Sequence, residues 1–516
     1  MTDKLLWDEV ASIADSDPER IALLTDAGAT TYGELAERAA ERAARLRAAG
    51  LRTGDRVVLV AANSAGFLVW AFAVWRAGCV LATVYPESGP DELDYVLRNA
   101  QPRCVIADVD RTQPMTRAVL SSGLPIDVHT IDEGGDVVSL PSADEWFLPS
   151  IDPEAVALIC YTSGTSSAPK PVAHSHRGLT AASRAYAAAW RMSSDDRTLV
   201  CLPMAWIYGL LSASLVTLVT GGVVVPLQRF SPARVVDAIE RHGVTFFPGV
   251  TTMYVKLVSY LQTSGREPRL GSLRLNVSGG EARNEAVFDD WRRLGGRPVL
   301  DAYCASECIP VITYDPQLDP EPRRGSAGRV VPEAEMKVVG QDGVEVARGD
   351  VGVALWRSPG MMVGYWNEPE LTASAVTADG WYRTGDYVRQ DDEGYVYIVG
   401  RVDDMIIRGG SNVAPSEVEA VLMADPRIGE AAVIGLPDSE YGEAVAAVVV
   451  PADGAVLPDE ELARICAERL APYKVPTVFR QAGQLPRNAS GKVKRRDLGA
   501  LFEPSPVQGW SDARWE

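Results

Sequence analysis

Residues 161–172 read YTSGTSSAPKPV, a run of small, hydroxylated and backbone-permissive residues closed by Lys170. A loop of this kind can turn its N–H groups and hydroxyls around a polyphosphate while the lysine adds positive charge. The preceding VALIC, residues 156–160, reads as a buried strand, which sets the loop where open α/β sheets receive ligands, beyond a strand's carboxyl end. It is not a Walker A loop. That motif needs Gly-Lys-Ser/Thr opening a helix, whereas Pro169 and Pro171 flank Lys170 and keep it extended. An ordinary surface loop can have the same composition, so the rest of the chain decides between a surface turn and a phosphate cradle.

Outward from the loop, strand and helix patterns alternate. Residues 31–49 (TYGELAERAAERAARLRAA) read as an amphipathic helix with Leu35, Ala39, Ala43 and Leu46 on one face. Strands at 56–62, 80–84, 104–107, 199–203, 223–226, 246–247 and 274–278 are interleaved with helices such as 65–77 and 232–242, the signature of βα units in parallel sheets. After about residue 320 the pattern becomes one of hairpins, with alternating segments at 335–339, 351–358 and 395–399 separated by turns such as Asp392-Glu393-Gly394. Past Gly400 the chain reads as a small α+β module, and the hinge is set at 401–403, next to Asp403. The expected architecture is therefore α/β. A large N-terminal domain (1–400) holds parallel βα sheets and a β-rich subdomain, and a small mobile α+β domain (401–516) follows.

Bulk properties narrow the function. With 516 residues the chain is too long for one core, and 47% apolar with 23% charged residues is the composition of a globular protein. A net charge of −19 argues against a nucleic-acid partner. No apolar run reaches the length of a membrane span and no secretion signal is evident, so a cytoplasmic location is expected. Seven cysteines, mostly isolated in apolar stretches, fit reduced thiols, and four histidines do not complete a zinc site. Lysine is scarce, seven against 43 arginines, which makes Lys170 and Lys492 in their glycine-containing loops more noteworthy.

Several stretches carry polar residues that a simple core would not need. In Ser278-Gly279-Gly280-Glu281 the glycines let backbone approach a flat ligand. The segment DAYCASE, residues 301–307, combines an aromatic platform with Ser306 and with Glu307, whose carboxylate suits a magnesium ion held mainly by phosphates and water. WYRTGD, residues 381–386, sets an acid on a tight turn, a geometry that can grip a ribose diol, and PRNASGK, residues 486–492, brings a second loop lysine.

In this order, over 31–498, these stretches resemble the adenylate-forming superfamily: acyl- and aryl-CoA ligases, peptide-synthetase adenylation domains and luciferases. The resemblance implies ATP and Mg2+ as cofactors. Thr162, Ser163, Gly164, Thr165, Ser166 and Lys170 then match the phosphate loop, Gly279, Gly280 and Glu281 the adenine-side segment, and Tyr303 the residue that stacks on adenine. Ser306 would contact the α-phosphate, Glu307 would hold the metal, Asp386 would bind ribose with Arg401 assisting, and Lys492 would swing in for adenylation. Gly409 and Gly410 match positions that line a pantetheine tunnel in relatives that use coenzyme A.

The departures from that pattern are informative. Ser167 and Pro171 replace loop glycines, Cys304 stands where glycine is common, and Trp206 replaces a histidine frequent in acyl-CoA ligases. Trp206 and Cys304, with Gly279, point to a shortened acid pocket; the alternative is that Trp206 only packs against the helix that follows it. The leading expectation is an AMP-forming ligase for a small aromatic or short acid, which passes the acyl group to coenzyme A or a carrier protein. Adenylation of nitrite for diazotisation of an aryl amine is a second reading, and a non-catalytic nucleotide-binding relative a third.

Overall fold

In the computed structural model both ends of the 161–172 stretch lie in paired strands. Strand Val156–Thr162 pairs antiparallel with strand Lys170–Ser175, Thr162 facing Lys170. The structure describes residues 4–132, 135–137, 139–142, 149–162, 169–281, 283–340, 342–409, 411–452, 455, 457–487 and 493–502. Ser163, Gly164, Thr165, Ser166 and Ser167 lie outside them, as do Gly410 and Lys492. Lys170 is in a strand, as its flanking prolines dictate.

The chain divides into two compact units, Met1–Thr384 with Val388–Ile398, and Gly385–Tyr387 with Val399–Glu516. Among the described residues the larger unit is built on two sheets. In the seven-stranded sheet, Arg56–Val60, Val80–Thr83, Cys104–Asp108, Asp127–Ile131 and Val156–Thr162 run parallel, and the Lys170–Ser175 hairpin strand and the short Gly364–Tyr365 close one edge. In the thirteen-stranded sheet a parallel block holds Arg197–Val200, Val223–Pro226, Phe246–Gly249, Leu275–Gly279 and Val299–Ala305. The β-rich segments expected after residue 320 extend that same sheet from Cys308–Thr313 outward, with the antiparallel pairs between them that the hairpin turns require.

Helices form where the pattern places them. Helix Tyr32–Ala48 begins at a capping box: Glu34 N–H donates to Thr31 Oγ1 (3.1 Å) and Thr31 N–H to the Glu34 carboxylate (3.0 Å), an arrangement that contributes about 1 kcal/mol. Its apolar stripe of Leu35, Ala39, Ala43 and Leu46 is fully buried. Helix Ala65–Arg76 is apolar all round and is buried from Phe67 to Trp75, as a helix covered on every face must be. Trp75 lies at its end and donates Nε1–H to Ala157 O of the hairpin's first strand (2.9 Å).

The smaller unit has its own core. Strands Ile428–Asp438 and Gly442–Pro451 form a long antiparallel pair, extended by Ile406–Arg408, Ser411–Val413 and Val478–Gln481. Helices Pro415–Met423 and Asp459–Ala467 bury Val418, Leu422, Leu462 and Cys466 against Val433, Val445 and Val449.

Candidate active site

The centre of the larger unit is the turn Ser306-Glu307 that joins strand Val299–Ala305 to Cys308–Thr313. It is held from the hairpin side. Ser306 O accepts from His174 Nε2 (2.8 Å), Glu307 O accepts from Met362 N–H (2.8 Å), and the Tyr365 phenol donates to Glu307 Oε1 (2.7 Å). Because a carbonyl can only accept, His174 carries its proton on Nε2, and its buried Nδ1 is left as a bare lone pair. Burial pushes the His174 pKa down to about 4, opposed by its bond to Ser306, so the ring is neutral at pH 7. Burial, with the Glu307 charge added to it, raises the Tyr365 phenol well above its ordinary range, so it remains a donor. Lys170 reaches the same residue from the hairpin, its Nζ 5.7 Å from the Tyr365 ring centroid, a cation–π contact.

Beside this turn, strand Leu275–Gly279 ends level with Ala302. A Cβ on Gly279 would lie 2.8 Å from Ala302 O and 3.3 Å from the Tyr208 ring, so only glycine fits there. Gly280, at φ +80°, faces open space and can take a flat group against bare backbone. The Glu281 carboxylate accepts from Thr252 N–H (2.7 Å) and Oγ1–H at the start of helix Thr251–Ser264, the end where a helix favours negative charge. Tyr303 is half-buried with its ring 6.2 Å from that of Trp356. Below it, the buried Asp301 carboxyl accepts from Arg283 at 2.9 Å; burial pushes its pKa up to about 6, with Arg283 pulling the other way.

Trp206 is half-buried, its ring 5.0 Å from that of Tyr85, just ahead of a π-helical stretch at Tyr208–Leu215. π-Helical turns are rare and concentrate at functional sites. Gly209 is obligatory in it, since a Cβ would lie 2.2 Å from Pro203 O. Cys304 is half-buried and packs on the core that contains Tyr186 and Leu211.

In the smaller unit Asp386 pairs with Arg401 (3.3 Å), and Val402 N–H closes onto Gly385 O (2.7 Å). Asp403 is exposed, whereas Asp404 is tied to Arg495 (3.2 Å), the anchoring role that a turn acid can have. Gly409 N–H donates to Tyr441 O (2.7 Å).

Sequence reasoning missed His174, Tyr365 and Arg283. His174 had a signal: a scarce residue in the apolar return strand of the loop, so close to Lys170. Among the described residues no cluster of three or more His, Cys, Asp or Glu side chains could hold a metal unaided. A single buried hard carboxylate instead fits Mg2+ that arrives on phosphates, and the bare backbone at Gly279-Gly280 fits a flat base.

The chain matches the AMP-binding enzyme family over residues 10–366 and the AMP-binding enzyme C-terminal domain over 417–492. It is 34% identical to a feruloyl-CoA synthase of Amycolatopsis over 491 residues, covering 95% of this chain and 97% of that one. It is 33% identical to a sulfoacetate–CoA ligase of Cupriavidus necator, at 93% and 94% coverage. The crystal structure of ATP-bound MatB from Rhodopseudomonas palustris superposes with a TM-score of 0.88 at 32% identity, over 96% of this chain and 99% of that one. The chain therefore belongs to the AMP-binding, adenylate-forming family, and it is an ATP-dependent, AMP-forming ligase of a small carboxylic acid.

Proposed function

We propose that the protein adenylates a small aromatic or short carboxylic acid and hands the acyl group to coenzyme A or a carrier protein's phosphopantetheine, in the cytoplasm, where ATP is supplied and its seven free cysteines stay reduced. The observation that carries this reading is the Ser306-Glu307 turn: a buried carboxylate and a hydroxyl on one hydrogen-bonded turn, with Lys170 beside the tyrosine that holds the acid. A carboxylate oxygen attacks the α-phosphorus of ATP in line. The acyl–O–P bond forms as the bond to the β-phosphate bridging oxygen breaks, and pyrophosphate leaves with the electron pair. A thiolate then attacks the acyl carbonyl and AMP leaves. Catalysis is positioning and charge neutralisation.

In this reading Lys170 and the loop hydroxyls hold the departing phosphates, and Ser306 donates to the α-phosphate. Gly279, Gly280 and Tyr303 flank adenine, with Glu281 bracing that segment. Asp386 and Arg401 hold the ribose. Glu307 would hold Mg2+, which when bound neutralises phosphate charge. Trp206, Cys304 and Gly279 bound the acid pocket, and Gly409 and Gly410 the pantetheine path. Rotation about Asp403 brings in Lys492, so Lys492→Ala loses most pyrophosphate exchange while ATP still binds. Feruloyl and sulfoacetate ligases being equally similar to this chain, overall identity does not choose the acid; the Trp206–Tyr85 wall favours a small one.

The test is ATP–pyrophosphate exchange across aryl acids, short acids and nitrite, followed by mass spectrometry for thioester with coenzyme A. Exchange confined to a few small carboxylates, with a thioester product, is expected. Exchange with nitrite alone would transfer the reading to diazotisation, and exchange with none of them would overturn it.

A further inference from the structure

One buried ring touches both charged groups on which the proposed adenylation depends. Tyr365 is 4% exposed. Its hydroxyl donates to Glu307 Oε1 at 2.7 Å, and its face lies 5.7 Å from Lys170 Nζ. Its own position is set by the strand that carries the lysine, through the pairs Tyr365–Val172 and Gly364–Ala173, and by its N–H, which donates to Thr372 Oγ1 (2.9 Å). A phenol that needed only a partner for burial would find one in any carbonyl. This one is spent on a carboxylate that would otherwise have to be desolvated, or turned, before it could take a cation.

We propose that Tyr365 is a positioning residue that couples the phosphate-loop lysine to the metal-holding acid. Its hydroxyl donates to Oε1 and orients the carboxylate that would hold the cation, while its ring face steadies Lys170. This rests on the adenylation reading above. Outer partners of metal-binding carboxylates typically contribute about 10- to 100-fold in metal affinity or activity. The metal dependence of the enzyme should therefore respond to a residue that acts on the cation through Glu307.

The experiment uses Y365F, which removes the hydroxyl and keeps the ring, and Mn2+ as probe. Mn2+ binding to the enzyme–ATP complex, followed by electron paramagnetic resonance, should weaken about 10- to 100-fold. The Mg2+ concentration for half-maximal pyrophosphate exchange should rise by the same factor, with exchange at saturating Mg2+ and metal-free ATP affinity nearly unchanged. Because the residue acts through Glu307, adding Y365F to E307Q should have no further effect on Mn2+ affinity. A Y365F protein with wild-type Mn2+ affinity overturns the positioning role, as does a multiplicative effect in the double variant. A lowered melting temperature with unaltered metal dependence also overturns it, since that is the signature of packing alone. Wild-type enzyme that binds ATP without any Mn2+ site would instead bring down the adenylation reading itself.

Discussion

Glu307 in the larger unit and Asp386 in the smaller are equally buried, each 7% exposed, yet they are satisfied in different ways. Glu307 takes a 2.7 Å hydrogen bond from a buried phenol, on a turn whose two carbonyls are also bonded. Asp386 is paired at 3.3 Å with Arg401, whose side chain is 54% exposed. A neutral buried donor fixes an acid without being screened by salt. A half-solvated guanidinium contributes only about 0–1 kcal/mol and yields to salt and to side-chain motion. The phenol bond to Glu307 is therefore insensitive to salt, whereas the ion pair between Asp386 and Arg401 is open to screening.

The contrast breaks most visibly at Glu307. The E307Q variant should lose roughly 100- to 1,000-fold in pyrophosphate exchange, the scale of losing one preorganised electrostatic partner, with its melting temperature nearly kept. The amide retains a carbonyl oxygen for the Tyr365 phenol, so the turn is still satisfied. Exchange within threefold of wild type would show that the buried acid is structural. D386N should cost less, about tenfold and mainly in KM for ATP, because it weakens ground-state and transition-state binding alike. R401A should cost roughly fivefold or less, with the difference vanishing in high salt. An R401A effect that exceeds that of D386N would mean that Arg401, not the acid, is the ribose-side group.

What could be read from the sequence follows the same division. Glu307, Asp386, Gly279 and Gly280 stand out because charges and glycines interrupt apolar strands at their ends, where buried backbone would otherwise forbid them. Tyr365 does not, because in GYW it looks like one more strand residue filling a core, and the scarcity of histidine marks His174 without naming its role, which only the partner 132 positions away shows. The hairpins after residue 320 were legible from their turns, but not their membership of the thirteen-stranded sheet, since a period of two names a face and not a neighbour. The π-helical turn at Tyr208–Leu215 has no periodicity of its own to read.

The smallest expected effect sharpens the comparison by pH. His174 titrates near 4 in the fold and near 6.5 when unfolded, so between these values the unfolded chain binds the extra proton. The stability this neutral ring contributes is complete above about pH 6.5 and is lost as pH falls toward 4. Asp301 works in the opposite sense, because its raised pKa of about 6 makes the fold the proton-binding state as pH drops. His176, which burial also pushes down to about 4, adds to His174, so the wild-type profile sums two histidines against Asp301 and subtraction is needed to isolate His174. His174→Gln keeps an N–H at the Nε2 position for Ser306 O and cannot titrate. Urea unfolding followed by fluorescence of Trp70, Trp75 and Trp190, all buried in the larger unit, should show wild type losing roughly 2 kcal/mol more than H174Q between pH 7 and pH 5. Parallel losses in the two proteins would mean that the ring is not held neutral against Ser306. The rigidity of the Glu307 turn would then have to come from Met362 and Tyr365 alone.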